Sequence, residues 1–342
     1  MSSGSSSKVL FNFALRAILS ITQAKLLCKQ LFRVLLKSFL QSVCFQTYEN
    51  LEIICVDDVG NDRSMDVVRS FAVKDCRIKI IEHDKNKGLA EARNTGLEHL
   101  SGDYVFFLDS DDWLSIDAIE KFVRSAKVGE PDIVVGQGLA FSDDDTKNTR
   151  IVTESVNLWL ALPKEVEVRA GNLLMMVSKI PCVAWGKLFR MEFLLSNKLK
   201  FITQNVRHED NGFHLKCIAC RPRVSVVNDF VYHYRIRASS IMGKIRETEK
   251  GRGKALSDYR KVIDDACEFA SGKDVAFSVF IRDSAFDAYA FRRFGCVFYW
   301  GYYRKFLRIG PIVFLKLDVS SDRGTYYLKV FGVKVFEKPF VL

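Results

Sequence analysis

Tyr104, Val105, Phe106, Phe107 and Leu108 form an unbroken apolar run, too short for a helix. Such a run predicts a strand buried on both faces. It stops at Asp109, Ser110, Asp111 and Asp112. Residues 51–56, apolar except for Glu52, predict another strand, ending in Asp57 and Asp58, and 77–82, with Ile78, Ile80 and Ile81 apolar, a further one. Between these runs the apolar positions recur at helical spacing. One helix runs from a cap at Asp62 or Ser64 to about Val73, and another covers 89–100, carrying Arg93 and Asn94 after a turn at 86–88. Strands alternating with helices of about a dozen residues predict an α/β fold with a mostly parallel sheet and right-handed crossovers.

Further on, the pattern predicts a helix at 116–126, a strand at 132–136 and a solvated loop tip at 142–146. A helix at 165–178 and a buried connection around Trp185 follow. His208, Glu209 and Asp210 open a helix reaching about Cys220, and short strands are expected at 223–227 and 230–234. Carboxylates at a helix N-terminus are favoured by its dipole alone. The two ends differ from this middle. Residues 9–45 have helical spacing, and 1–48 contain no acid but carry Lys8, Arg16, Lys25, Lys29, Arg33 and Lys37. Helices are expected at 248–270 and 273–294, and 326–336 alternates like a hairpin. The chain thus divides into a basic amphipathic segment (1–41), an α/β domain (42–244) and a helical, basic and aromatic C-terminal region (245–342).

Composition narrows the partners. The 342 residues supply ample core for one large domain or two smaller ones, and the formal charge of +10 points to an anionic partner. Nine cysteines, an odd number scattered through apolar runs, suit buried thiols in a reducing compartment. Cys217 and Cys220 form a lone pair without the further ligands zinc needs. No stretch reaches the ~20 apolar residues of a membrane span. The aromatic and basic interleaving at 298–308 comes with no basic stripe and no RNA motif, so no nucleic acid is expected. It suits contact with an anionic membrane surface, and equally a helix packed on its own domain.

Acidic groups at the carboxyl ends of two strands share one sheet edge, where ligands of open α/β sheets bind. Clustered carboxylates repel and need a cation or full solvation. A divalent metal holding an anionic substrate satisfies them, and so does a solvated turn capping the next helix.

Taken together, residues 46–58, 86–94, 103–113, 185–187, 209–210 and 232–235 resemble, in order and spacing, the family-2 inverting glycosyltransferases of GT-A fold. The resemblance runs from about Ser42 to Ser240. It implies a Rossmann-like sheet flanked by helices and transfer of a hexose or N-acetylhexosamine from a UDP-sugar. The implied acceptor is a glycan or lipid-linked molecule in bacterial surface polysaccharide or lipooligosaccharide synthesis, at the inner face of the cytoplasmic membrane. By the same resemblance Asp57 or Asp58 contacts the nucleoside, Asp109 and Asp111 hold Mn2+ or Mg2+, and Arg93 lies near the diphosphate. Asp112 caps a helix or meets sugar hydroxyls. Asp210, with Glu209 beside it, is the base that inversion requires. His233 is a further candidate metal ligand, Arg235 a candidate diphosphate clamp, and Trp185 a candidate sugar-stacking ring; for His233 and Trp185 an ordinary core role is the competing reading.

The family's opening strand, of the type Ile-Ile-Ile-Pro-x-Tyr-Asn, is not recognisable before Gln46. Its absence leads to an alternative: an impaired, membrane-associated relic lacking its nucleoside-binding strand. A phosphatase using an Asp-x-Asp nucleophile explains neither Asp57 nor Glu209. A calcium loop is excluded by the missing glycine and terminal glutamate.

Overall fold

A computed structural model gives the fold. It describes residues 15–21, 29–60, 63–142, 150–151, 165–167, 180, 182–236, 249–275, 277–278 and 281, and the strand residues 296–300, 304–309, 312–320, 325–330 and 333–339. The expectations for residues 143–149, 168–179 and 282–295 lie outside the described residues.

The first half runs β1 (Leu15–Ile21), α1 (Lys29–Cys44), β2 (Leu51–Asp57), α2 (Ser64–Ala72), β3 (Ile78–Glu82), α3 (Leu89–Glu98), β4 (Tyr104–Asp109), β5 (Trp113–Leu114) and α4 (Ala118–Ala126). It continues with β6 (Ile133–Ser142), β7 (Arg150–Ile151), β8 (Glu165–Glu167), β9 (Lys187–Arg190), α5 (Met191–Ser196) and α6 (Glu209–Ala219). Then come β10 (Arg223–Ile236) and α7 (Glu249–Ser271), followed by β11 (Cys296–Trp300), β12 (Arg304–Ile309), β13 (Ile312–Ser320), β14 (Thr325–Val330) and β15 (Val333–Pro339).

The main sheet has the order β3-β2-β1-β4-β9-β6-β10-β5, with β7 and β8 paired to β6 and β10. Strands β3, β2, β1 and β4 are mutually parallel, as are β6 and β10. Strand β9 is antiparallel to both β4 and β6, so the sheet is mixed.

Strand β1 corrects the sequence reading. Residues 15–21 form a strand at the centre of the parallel block, where only basic helix was expected. Leu15, Ala17, Ile18, Leu19 and Ile21 make a short apolar run, and such runs do not by themselves separate strand from helix. Pairing to β2 on one side and β4 on the other decides it. The absent opening strand, and with it the motive for the relic reading, is therefore withdrawn.

The C-terminal region is a second correction. Helix α7 covers the first expected helix, but β11 to β15 form a five-stranded antiparallel sheet, order β11-β12-β13-β14-β15. The expected hairpin is β14–β15. Aromatic and β-branched residues favour strands, and that preference prevails over the helix expected at 298–308.

Successive side chains of β4 point to opposite faces of the main sheet. Phe106 meets Phe122 of α4 edge-on, with centroids 5.2 Å apart. Phe107 points the other way and meets Phe189, Phe201 and Phe213 at 5.8, 5.3 and 6.1 Å. Each buried ring contributes about 1.5–3 kcal/mol, so both faces hold the strand that ends in Asp109.

Candidate active site

The ends of β2 and β4 are brought to one level by β1, whose Ile21 pairs with Asp57 and whose Ser20 pairs with Asp109. Two strand spacings place the two aspartate backbones roughly 10 Å apart. Asp57 is half-buried and accepts a hydrogen bond from the Val59 amide at 3.1 Å. Burial pushes its carboxyl above the ordinary range.

Asp58 has a different task from the nucleoside contact expected of it. It is 1% exposed. Its Oδ1 accepts from the Lys87 amide at 2.7 Å and its Oδ2 from the Gly88 amide at 2.8 Å. The His83 imidazole lies 2.8 Å from the same carboxylate, and Asn86 donates to the Asp58 carbonyl at 2.8 Å. Asp58 therefore moulds the loop that launches α3. Gly88 in that loop has φ +93°, and a Cβ there would lie 2.8 Å from the Asn205 side chain. Only glycine suits both conditions.

Helix α3 delivers Arg93 into the interior at 2% exposure. The guanidinium donates to Glu209 Oε1 at 2.8 Å and to Asp109 Oδ1 at 2.9 Å, and its Cζ sits 5.3 Å from the Phe201 ring centroid. Burial works against its charge, but Asp109, Glu209 and Asp210 outweigh burial and raise its pKa. One side chain thus joins the end of β4 to the start of α6, acids that are 100 positions apart in the sequence.

Burial pushes Glu209 up to about 7, against the pull of Arg93. Asp210 is half-buried; burial raises it as well, Arg93 opposes, and Asp109 adds to the rise. His208, ahead of them, adopts φ 64°, a left-handed turn that starts the helix. Glu209 is held in the ion pair with Arg93, whereas Asp210 accepts a 3.0 Å hydrogen bond from the Asn211 amide.

Asp112 is 1% exposed and is held from below. Tyr232 donates its hydroxyl to Oδ2 at 2.6 Å and the Arg235 amide donates to Oδ1 at 2.8 Å. Burial raises its pKa well above the ordinary value, and Asp111 and Asp109 add to that. Asp112 ties β10 to the acidic turn; it neither caps α4 nor reaches outward to a sugar. Arg235 donates through Nε to the Asp111 carbonyl at 3.0 Å and lies 4.8 Å from the Trp113 ring centroid. At 9% exposure it braces the turn.

Two other expectations are corrected. Antiparallel pairing sets His233 opposite Trp113, where its ring stacks at 5.2 Å and its Nε2 lies 3.0 Å from Ser115 Oγ. That placement removes it from the metal-ligand set. Trp185 is 8% exposed and stacks on Tyr232 and Tyr234 at 4.4 and 5.4 Å, so it packs in the core. Tyr232 and Trp113 went unrecognised as site residues. Both lie in stretches that carry the family resemblance, 232–235 and 103–113, and Trp113 is also an aromatic ring directly after an acidic turn. Lys187, below the site, is 1% exposed, donates to the Val183 carbonyl at 2.5 Å, and is pushed down to about 8 by burial.

Among the described residues, no three of His, Cys, Asp and Glu converge as a preformed metal cage. Asp109 ends β4 and Asp111 lies in the turn that follows, and both are hard oxygen donors. They fit a divalent cation of the kind held by one or two carboxylates and completed by substrate phosphates.

A family model described as Glycosyl transferase family 2 matches residues 33–184, starting inside α1 and therefore after β1. Putative glycosyltransferase EpsH of Bacillus subtilis is 32% identical over 245 residues, covering 67% of this chain and 69% of that protein. Glycosyltransferase GlyA of Streptococcus pneumoniae is 32% identical over 215 residues, 60% of this chain and 29% of its own length. Among solved structures, S. aureus TarS 1-349 in complex with UDP-GlcNAc has a TM-score of 0.62 at 19% identity, covering 82% of this chain and 73% of that one. That likeness is one of fold.

Proposed function

The chain belongs to glycosyl transferase family 2, and on that premise we propose that it moves a hexose or N-acetylhexosamine from a UDP-sugar to a glycan or lipid-linked acceptor, with inversion at the anomeric carbon. The observation that carries the reading is Arg93, buried and bridging Asp109 to Glu209. It joins a strand-end acid to the late acidic pair in a single site. A related fold that holds UDP-GlcNAc supports a uridine nucleotide donor.

In this reading Asp57 meets the nucleoside at the end of β2. Asp109 and Asp111 would hold Mn2+ or Mg2+, which when bound neutralises charge on the departing diphosphate. Asp210 takes the proton from the acceptor hydroxyl. The freed oxygen attacks the anomeric carbon in line, and the bond to the diphosphate breaks. A base with a raised pKa suits this step. Glu209, fixed by Arg93, sets the start of α6 and so the position of Asp210.

Synthesis of bacterial surface polysaccharide or lipooligosaccharide is the setting we propose, with the acceptor end presented at a membrane. Among the described residues no helix is long and apolar enough to cross one. The test is a panel of UDP-sugars scored for transfer and hydrolysis, with and without chelator. UDP with Mn2+ is expected to raise the melting temperature, and Asp111→Ala to abolish that rise. A melting temperature indifferent to UDP with Mn2+ would overturn the reading.

A further inference from the structure

Beside the acidic turn lies a second concavity of about 370 Å3, within the ~300–1,000 Å3 typical of small-molecule pockets. One wall is the C-terminal half of α1 and the other is β5 with the residues after it. Phe45, Trp113, Leu114 and Ile116 supply its apolar surface, and Ser38 and Gln41 its polar rim. Phe45 is 67% exposed and Ile116 63% exposed, two large apolar side chains left in solvent on opposite lips of one cleft. The walls are fixed to each other: the Leu114 amide donates to Ser42 Oγ at 3.2 Å, and Gln46 of the α1 exit donates to the Ser115 carbonyl at 2.7 Å.

The cleft shares Trp113 and Arg235 with the site already described, and Arg235 is bonded to both Asp111 and Asp112 there. A molecule lying in the cleft therefore ends next to the acidic turn. Among the described residues no carboxylate lines it, and the one cation among them is engaged with the Asp111 carbonyl and the Trp113 ring. This chemistry suits neither a metal nor a diphosphate. Aromatic and aliphatic surface beside neutral hydroxyl and amide groups suits the face of a sugar ring, whose C–H groups pack on apolar surface while its hydroxyls find polar partners.

We propose that this cleft is the acceptor subsite, taking a neutral pyranose of the acceptor glycan against Trp113, Phe45 and Ile116. The proposal rests on the transferase reading and adds to it where the acceptor lies. Trp113 is the platform, buttressed by His233 and Arg235, and the α1 lip confines the ring. The cleft meets the donor machinery at the acidic turn that ends β4, where Arg235 bonds Asp111 and Asp112.

The test uses the full chain and the double variant Phe45→Ala/Ile116→Ala. Both side chains are exposed, so its melting temperature should match that of the unaltered protein. Methyl glycosides of galactose, glucose and N-acetylglucosamine are titrated by saturation-transfer NMR in the presence of UDP and Mn2+, with octanol as a separate arm and UDP affinity measured by calorimetry. Expected is binding of at least one glycoside, weakened about tenfold in the variant, with UDP affinity unchanged. Glycoside binding that is absent, or equal in the two proteins, would overturn the proposal, as would a variant that loses octanol alone. Failure of UDP to bind is a separate result and tells against the transferase reading, because the glycoside titration can be repeated without nucleotide.

Discussion

Arg93 and Asp210 show how burial shapes chemistry at single residues. Arg93 is exposed to almost no water, yet three carboxylates keep its charge, and it holds Glu209 in return. Asp210, one position on, is raised by burial while Arg93 pulls the other way. A base must be ionised to act, so activity should fall as the pH drops through this raised value. We expect the acidic limb of kcat/KM to have its midpoint above ~3.9, the usual aspartate value. A limb at the usual value would remove Asp210 from the base role. Asp210→Asn should lower kcat at least ~100-fold while UDP affinity stays within a factor of ~2.

At the scale of elements, the loop before α3 matters more than its length suggests. It carries no catalytic group, but Asp58 and Gly88 fix where α3 begins and hence where Arg93 arrives. Gly88→Ala would impose a positive φ on an L residue and push into Asn205. We expect a loss of about 1–3 kcal/mol in chemical denaturation and a lower kcat, since Arg93 would shift with its helix. An alanine variant with unchanged stability would show that the loop tolerates another path. The strand ends and the acidic pairs were legible in the sequence because buried parallel strands read as apolar runs and their ends as abrupt polar switches. The partition of roles among those acids was not. Asp57 and Asp58 are adjacent and chemically alike, and only the fold turns one outward and the other onto a loop. The core role of Trp185 was likewise hidden until its neighbours were known, since the rings it stacks on, Tyr232 and Tyr234, belong to β10, far along the chain.

On the scale of the molecule, the decisive feature is the central place of β1. Its residues read as helix because apolar positions there sit close to a longer helical pattern, and no local signal records a partner on each side. Removing residues 1–28 should leave β2 and β4 without their shared neighbour, and we expect the truncated chain to lose cooperative thermal unfolding. A sharp transition near that of the full chain would show the strand to be dispensable. Its position also bears on how the protein is made. Leu15–Ile21 leaves the ribosome well before one of its two partners, Tyr104–Asp109. In the interval the nascent chain exposes an apolar strand edge, a surface that invites pairing with other chains. Pairings so distant in sequence also form slowly. Synthesis should therefore be the protein's most vulnerable moment, and the yield of native enzyme should depend on chaperones that shield that edge until the fourth strand of the parallel block emerges.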